Sequence, residues 1–187
     1  MKPLILVKHS LPEIVEHIPA REWVLSEMGR ERAKSLAEIL TQYHAEVILS
    51  SIEPKAHETA SILAENLELS FEIFDGLHEH DRSNSPHYSK DEFQALVQEF
   101  FNKPDVLIFG KETAGQALGR FREAVDSVLR LYEDQVILIV SHGTVISLYT
   151  SWLTGCDGYL LWRDLGLPSF VVLDLQSQSS LETVNIS

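Results

Sequence analysis

Two histidines follow buried-strand patterns in the same way, and both are residues that can do chemistry. His9 comes after Lys8 and the apolar run 4–7, and His142 comes two residues after the apolar run 136–140. A neutral imidazole can act as a nucleophile or carry a proton, and a neighbouring lysine supplies positive charge. If the two runs are neighbouring parallel strands, both histidines lie at the sheet edge where open α/β sheets bind ligands. The sequence therefore predicts one site that contains both.

The rest of the chain alternates strand and helix patterns, which would supply the other strands of the sheet and the helices that cover it. Further short apolar runs occupy 45–51, the stretch ending at Phe74, and 169–176. Ser26 and Ser89 are predicted N-caps of two helices, and another helix is predicted to start after Gly143. Helical patterns also cover 53–67 and 113–134. This alternation predicts a three-layer α/β/α sandwich with a mostly parallel central sheet, in a single domain covering 1–187. The tail after Leu175 is expected to fray or to form an edge strand.

Composition excludes some classes of partner. The formal net charge of −13 argues against a general nucleic-acid or anionic-membrane surface, but a few local cations suffice for a small anionic substrate. Cys156 is the only cysteine, so the chain has no internal disulfide and no cysteine-based zinc site. The first apolar run stops at Lys8 and is too short for a signal segment or a membrane span, which predicts a cytoplasmic protein.

Five short motifs follow one another along the chain. They are Lys8-His9-Ser10, Leu25-Ser26 with Gly29, SSIEPKAHETA over 50–60, Leu77 with Glu79, and Ser141-His142-Gly143. In this order they resemble the histidine phosphatase superfamily, also called phosphoglycerate mutase-like, over nearly the whole chain. Lys8 and Lys55 stand where that family has arginine, and Ser10 stands where it has glycine.

The resemblance implies a role for each matched residue. His9 would be the nucleophile that is transiently phosphorylated, and Glu79 the general acid, with His80 and Asp81 as substitutes for Glu79. The resemblance places the remaining matched residues around the transferring phosphate: His142 as a further catalytic residue, and Lys8, Lys55, Ser10 and Gly143 as phosphate-binding residues. It implies a phosphomonoester hydrolase that acts on a small phosphorylated substrate and needs no metal or cofactor. The short chain favours a phosphatase over a mutase, and the chain could also assemble as a homodimer.

A second hypothesis is a catalytically weak phospho-ligand binding protein with the same fold. Its support is the triple departure at Lys8, Ser10 and Lys55, because lysine offers phosphate a point charge instead of the planar fork of arginine. The retained His9, His142 and Glu79 speak against it, since binding alone would not need a nucleophile together with an acid.

A third hypothesis is a metallohydrolase. In the segment LHEHD, the side chains of His78, His80 and Asp81 could ligate a divalent ion, but no second ligand cluster follows with the spacing of a zinc site. The polar loop 80–90, which includes Arg82 and His87, is the segment expected to select the substrate, although its sequence has no pattern that names a ligand.

Overall fold

A six-stranded sheet forms the centre of the protein. The computed structural model describes residues 2–86 and 88–186, so His87 of the polar loop lies outside the described residues. The strands are β1 (Leu4–Lys8), β2 (Val47–Ser50), β3 (Phe71–Ile73), β4 (Ile137–Ser141), β5 (Ser169–Asp174) and β6 (Ser179–Asn185). Their order is β3-β2-β4-β1-β5-β6. The first four in this order are parallel, whereas β5 pairs antiparallel with both β1 and β6.

Helices connect the strands, and four of those described begin at a residue whose side chain caps the first turn. They are α1 (Glu27–Leu40), α2 (Pro54–Asn66), α3 (Lys90–Asn102), α4 (Ala114–Leu131), α5 (Gly143–Thr154) and α6 (Gly158–Asp164). The predicted caps are confirmed, because the hydroxyls of Ser26 and Ser89 accept hydrogen bonds from the first turns of α1 and α3. Helix α6 was not predicted, since its seven residues are too few to show a helical period.

The two faces of the sheet bury alternate residues of each strand, as the pleat requires. Ile5 and Val7 of β1 pack with α1 and α2, whereas Leu4 and Leu6 pack with α3, α4 and α5 on the opposite face. The predicted three-layer α/β/α architecture is therefore confirmed. None of the helices in the described part of the chain is long and apolar enough to cross a membrane.

The register of the central strands places their carboxyl ends next to one another. Lys8 of β1 pairs with Ser141 of β4, so the residues that follow, His9 and His142, leave the sheet side by side. Strand β2 lies on the other side of β4 and delivers the start of α2 to the same edge. The tail forms β6, an edge strand against β5, which decides between the two expectations for that segment.

One glycine near this edge is required by close packing. A Cβ atom at Gly29 would lie 2.0 Å from the carbonyl oxygen of Leu11, which is shorter than any real contact. The first turn of α1 can therefore approach the segment after β1 only because residue 29 has no side chain.

Candidate active site

The ring of His9 is held in one tautomer by its own neighbour. Its Nδ1 lies 2.7 Å from the carbonyl oxygen of Ser10, and its backbone N–H donates to the carbonyl of Ser141 at 3.0 Å. A carbonyl oxygen can only accept, so Nδ1 carries the hydrogen and Nε2 keeps its lone pair. The centroids of the His9 and His142 rings are 5.1 Å apart. The structure thus brings the two histidines together with a basic nitrogen available on His9.

Both histidines are neutral at neutral pH. Burial is the main reason that the pKa of His9 falls well below its ordinary value, and the charges of His142, when protonated, and of Lys55 lower it further. Burial likewise lowers the pKa of His142, followed by the charge of Lys55, whereas Glu79 opposes this effect. A neutral imidazole is the form that can attack phosphorus, so this environment suits His9 for a nucleophilic role.

His142 is fully buried between two polar side chains. Its Nε2 lies 2.8 Å from Ser51 Oγ and 3.6 Å from Glu53 Oε1. Its Nδ1 has no hydrogen-bond partner within the described part of the chain. A buried nitrogen without a partner is costly. If the Ser51 hydroxyl donates to Nε2, Nδ1 carries the hydrogen and could donate it to an oxygen of a bound phosphate.

The side chain of Lys8 lies beside the start of α5. Its Nζ donates to the carbonyl oxygen of Leu165 at 2.7 Å. A Cβ atom at Gly143 would lie 3.1 Å from Lys8 Cε, so the glycine makes room for this side chain. Burial lowers the pKa of Lys8 to about 8, although the charge of Glu79 raises it in part. Lys8 is therefore still mostly protonated at pH 7. Of its three N–H donors, one goes to Leu165, which leaves two for a ligand.

Lys55 is more deeply buried and more firmly held. It lies in the first turn of α2 and is only 5% exposed. Its Nζ contacts Glu53 Oε2 at 2.5 Å and the carbonyl oxygen of Ala20 at 2.7 Å. Two of its three N–H donors are thus used inside the protein, which leaves one for a ligand.

The Glu79 carboxylate lies at the N-terminus of α5. Its Oε1 accepts from the His80 N–H at 2.9 Å and its Oε2 accepts from the Thr144 N–H at 3.2 Å. The backbone N–H of Glu79 itself donates to Glu53 Oε1 at 2.9 Å. These contacts place a carboxylate of the predicted general acid beside the helix that follows His142.

The resting form of Glu79 is ionised. Burial alone would raise its pKa. Three groups lower it: the charge of His142 when that ring is protonated, the charge of Arg82, and the N–H of His80. The pKa of Glu79 therefore lies below that of an ordinary glutamate. To act as an acid, Glu79 must therefore take up a proton. A phosphate dianion entering the pocket would favour this, because a nearby negative charge raises the pKa of a carboxyl group.

Ser10 uses both of its donors within the protein. Its Oγ donates to the carbonyl of Gly29 at 2.6 Å, and its N–H donates to Thr59 Oγ1 at 3.0 Å. The residue is fully buried. Ser10 therefore has no hydrogen-bond donor left for a phosphate, and its visible contribution is the carbonyl oxygen that orients His9.

Two of the residues considered as metal ligands are held by other contacts. His80 is buried and its ring packs against Phe100 and Phe109, with centroids 4.3 and 4.8 Å away. Asp81 is bound to the Ser83 side chain. Over residues 2–86 and 88–186, no group of three or more His, Cys, Asp or Glu side chains is placed to hold a metal ion.

Two residues near the site were not anticipated from the sequence. Glu53 lies inside the SSIEPKAHETA motif, where it occupies a position that the family pattern leaves variable. Arg120 of α4 donates to the carbonyl oxygens of Gly76, His78 and Glu79 at 2.8, 2.8 and 3.2 Å. It thereby fixes the backbone that carries the Glu79 carboxylate. A helical arginine in the sequence gave no signal for this role, because all three acceptors are about forty residues away.

Comparison with known proteins decides the family. The sequence profile of the histidine phosphatase superfamily (branch 1) matches residues 5–186. The chain belongs to this superfamily. Among curated proteins it is similar to the uncharacterized phosphatase PhoE of Bacillus subtilis (strain 168), with 26% identity over 133 residues. That alignment covers 71% of this chain but only 66% of the relative, so the chain spans slightly less than two thirds of that protein.

Solved structures share the same fold at low sequence identity. A mutant phosphoserine phosphatase from Entamoeba histolytica in complex with phosphoserine superimposes with a TM-score of 0.79, 16% identity, and coverage of 98% of this chain and 96% of the other. A mycobacterial glucosyl-3-phosphoglycerate phosphatase gives a TM-score of 0.75, 20% identity, and coverage of 93% and 90%. These likenesses support the histidine phosphatase fold.

Proposed function

We propose that the protein is a metal-independent phosphomonoester hydrolase that forms a phosphohistidine on His9. The observation that carries the proposal is the bond from His9 Nδ1 to the Ser10 carbonyl, 2.7 Å long, which leaves Nε2 as a lone-pair donor beside His142. The lowered pKa of His9 keeps that lone pair available at neutral pH. Membership of the superfamily supports the same activity.

In the first step, His9 Nε2 attacks phosphorus in line with the leaving oxygen. The N–P bond forms as the P–O bond to the leaving group breaks, and the leaving oxygen takes a proton from Glu79. In the second step, Glu79 takes a proton from water, whose oxygen attacks phosphorus. The N–P bond breaks, inorganic phosphate is released, and His9 returns to its neutral form. The same carboxyl group acts first as acid and then as base.

Fixed positive charge stabilises the transferring phosphoryl group. Lys8 offers two N–H donors and Lys55 offers one, after the protein acceptors described above are counted. His142 Nδ1 adds a further polar contact, and the N-terminal end of α5 adds its dipole. These groups are held in place before the substrate binds, which is the condition for effective transition-state stabilisation.

The proposed substrate is a small phosphorylated metabolite. Two proteins of the same fold are named as phosphatases of phosphoserine and of glucosyl-3-phosphoglycerate, both of which are small phosphate esters. In this chain, the Arg82 guanidinium lies over the Phe93 ring, 4.5 Å from its centroid, in the polar loop expected to select the leaving group. A screen over phosphorylated metabolites would identify the substrate.

Hydrolysis of a generic aryl phosphate near pH 6 tests the proposal, with His9→Ala as the matched variant. We expect turnover by the wild-type protein that persists with a chelator and is abolished by His9→Ala. Turnover that depends on added metal would contradict the proposed mechanism. Binding of phosphate by the wild-type protein without turnover above the His9→Ala level would favour the alternative, a catalytically weak phospho-ligand binding protein. That alternative draws support from Lys8 and Lys55, because protein acceptors already hold both ammonium groups.

A further inference from the structure

Glu53 places a buried carboxylate inside the proposed phosphate pocket. The residue is 8% exposed and precedes Pro54 at the start of α2. Its Oε2 contacts Lys55 Nζ at 2.5 Å, and its Oε1 accepts from the Glu79 N–H at 2.9 Å and lies 3.6 Å from His142 Nε2. Glu53 therefore touches three residues of the proposed site. The phosphoryl-transfer mechanism above assigns it no role.

The charge of Glu53 changes the balance of the whole pocket. Lys8 and Lys55 bring two basic side chains to the site, and Glu53 and Glu79 bring two acidic ones. The formal charges of these four side chains therefore cancel, whereas without Glu53 they would sum to +1. A phosphate monoester carries about −1.5 to −2 at pH 7, so it meets no surplus of positive charge among these four, and the charge of Arg82, which also acts on Glu79, comes in addition.

The contact with Lys55 makes this competition direct. Glu53 and the carbonyl of Ala20 already take two of the three donors of the ammonium group, and a bound phosphate would share the remaining one. The phosphate oxygen bound there would lie close to the Glu53 carboxylate, because both would contact the same nitrogen. Two anions at this separation in a buried site repel each other.

We propose that Glu53 is an affinity-determining residue of this pocket, an internal anion that competes with the phosphate of substrate and product for Lys55. This inference rests on the proposed function, because it takes the pocket to bind phosphate. Its functional consequence is that the phosphate product is bound weakly and leaves readily. The contacts of Glu53 with Lys55 and with the Glu79 backbone also orient those two groups.

The direction of one measurement separates this role from a structural one. If Glu53 only supported the fold, its replacement would loosen Lys55 and weaken phosphate binding or leave it unchanged. If Glu53 competes with phosphate, its replacement by a neutral side chain of the same shape strengthens phosphate binding. Glu53→Gln is that replacement, since the amide oxygen can still accept from the Glu79 N–H.

The experiment is titration of the whole 187-residue chain with inorganic phosphate by calorimetry. We expect Glu53→Gln to lower the Kd of phosphate by about 10-fold relative to the wild type. The matched control is Glu65→Gln, which removes one negative charge from an exposed position of the same helix, and should leave the Kd within about twofold. An unchanged or higher Kd in Glu53→Gln would overturn the inference.

A second variant covers the case in which Glu53→Gln does not fold. Glu53→Asp keeps the charge but withdraws the carboxylate from Lys55 by one methylene group, and should also lower the Kd of phosphate, by less than the glutamine variant. A Kd equal to or higher than that of the wild type would again refute the competition. Because the titration needs no turnover, a wild type that hydrolyses aryl phosphate with an unchanged Kd in both variants overturns only the role of Glu53. If the wild type shows no turnover but the Glu53 variants bind phosphate more tightly, only the proposed activity is overturned.

Discussion

The state of the Lys8 ammonium group predicts the alkaline side of the pH profile. Lys8 is held near the proposed phosphate position by the Leu165 carbonyl, and burial lowers its pKa to about 8. A lysine is charged below its pKa and neutral above it. For a pKa of about 8, roughly ten elevenths of the molecules carry the charge at pH 7 and about one eleventh at pH 9. We therefore expect the loss of this charge to make kcat/KM fall more steeply above about pH 8, by a further factor of about 10 for each pH unit, beyond any fall caused by the proton that Glu79 must take up.

The assay is kcat/KM for an aryl phosphate between about pH 6 and pH 10, because this ratio reports groups of the free enzyme. In Lys8→Arg the side chain stays charged over that whole range, so the steepening above about pH 8 should disappear, whatever the absolute activity of the variant, and only the dependence due to Glu79 should remain. Lys103→Arg, on the exposed end of α3, is the control and should keep the wild-type profile. The same steepening above about pH 8 in Lys8→Arg would refute the argument, since a different group would then be titrating.

Three further predictions concern the groups around the phosphate. Lys8→Ala and Lys55→Ala should each lower kcat/KM by about 10²–10³. The loss should be larger for Lys8, because Lys8 has two N–H donors left for phosphate and Lys55 has one. No loss in either variant would contradict the phosphate contact. The double variant Lys8→Arg with Lys55→Arg should have a lower kcat/KM, because a planar guanidinium cannot reproduce the contacts that each ammonium makes with protein carbonyls. A clear gain in kcat/KM would contradict a pocket built around lysine. Arg120→Met should lower kcat by about 10-fold, because Glu79 would be misplaced, and should leave the Kd of phosphate nearly unchanged. An equal loss of kcat and of phosphate affinity would contradict a positioning role.

The strand ends were predictable because their causes are local. The apolar runs before His9 and before Ser141 are continuous, as expected for strands buried on both faces, and their order along the chain with intervening helices implies a parallel sheet. The in-register pairing of β1 with β4 then places His9 and His142 side by side. The caps at Ser26 and Ser89 were predictable for the same reason, since each hydroxyl accepts from an N–H group only three residues later in the sequence.

The contacts that hold the charged residues of the site were not predictable, because they join segments that are distant in the sequence. Lys8 is bound to a carbonyl 157 residues later, and Lys55 to one 35 residues earlier. In the sequence, Glu53 and Lys55 are two charged residues at the start of a helix, a pattern that is usually solvent-exposed. Only the packing of α2 against the sheet edge buries them as a pair. Glu53 therefore became visible as part of the site only in the folded protein.

The central claim is that His9 carries the phosphoryl group during turnover. The most direct test is rapid mixing of the wild-type protein with an aryl phosphate, an alkaline quench, and mass spectrometry of the peptides. A phosphoramidate survives alkali and is hydrolysed by acid, so the adduct should be found on the peptide containing His9 after the alkaline quench and be lost after acid. His9→Ala should give no adduct. An adduct on another of the eight histidines, or continued turnover by His9→Ala, would contradict the account.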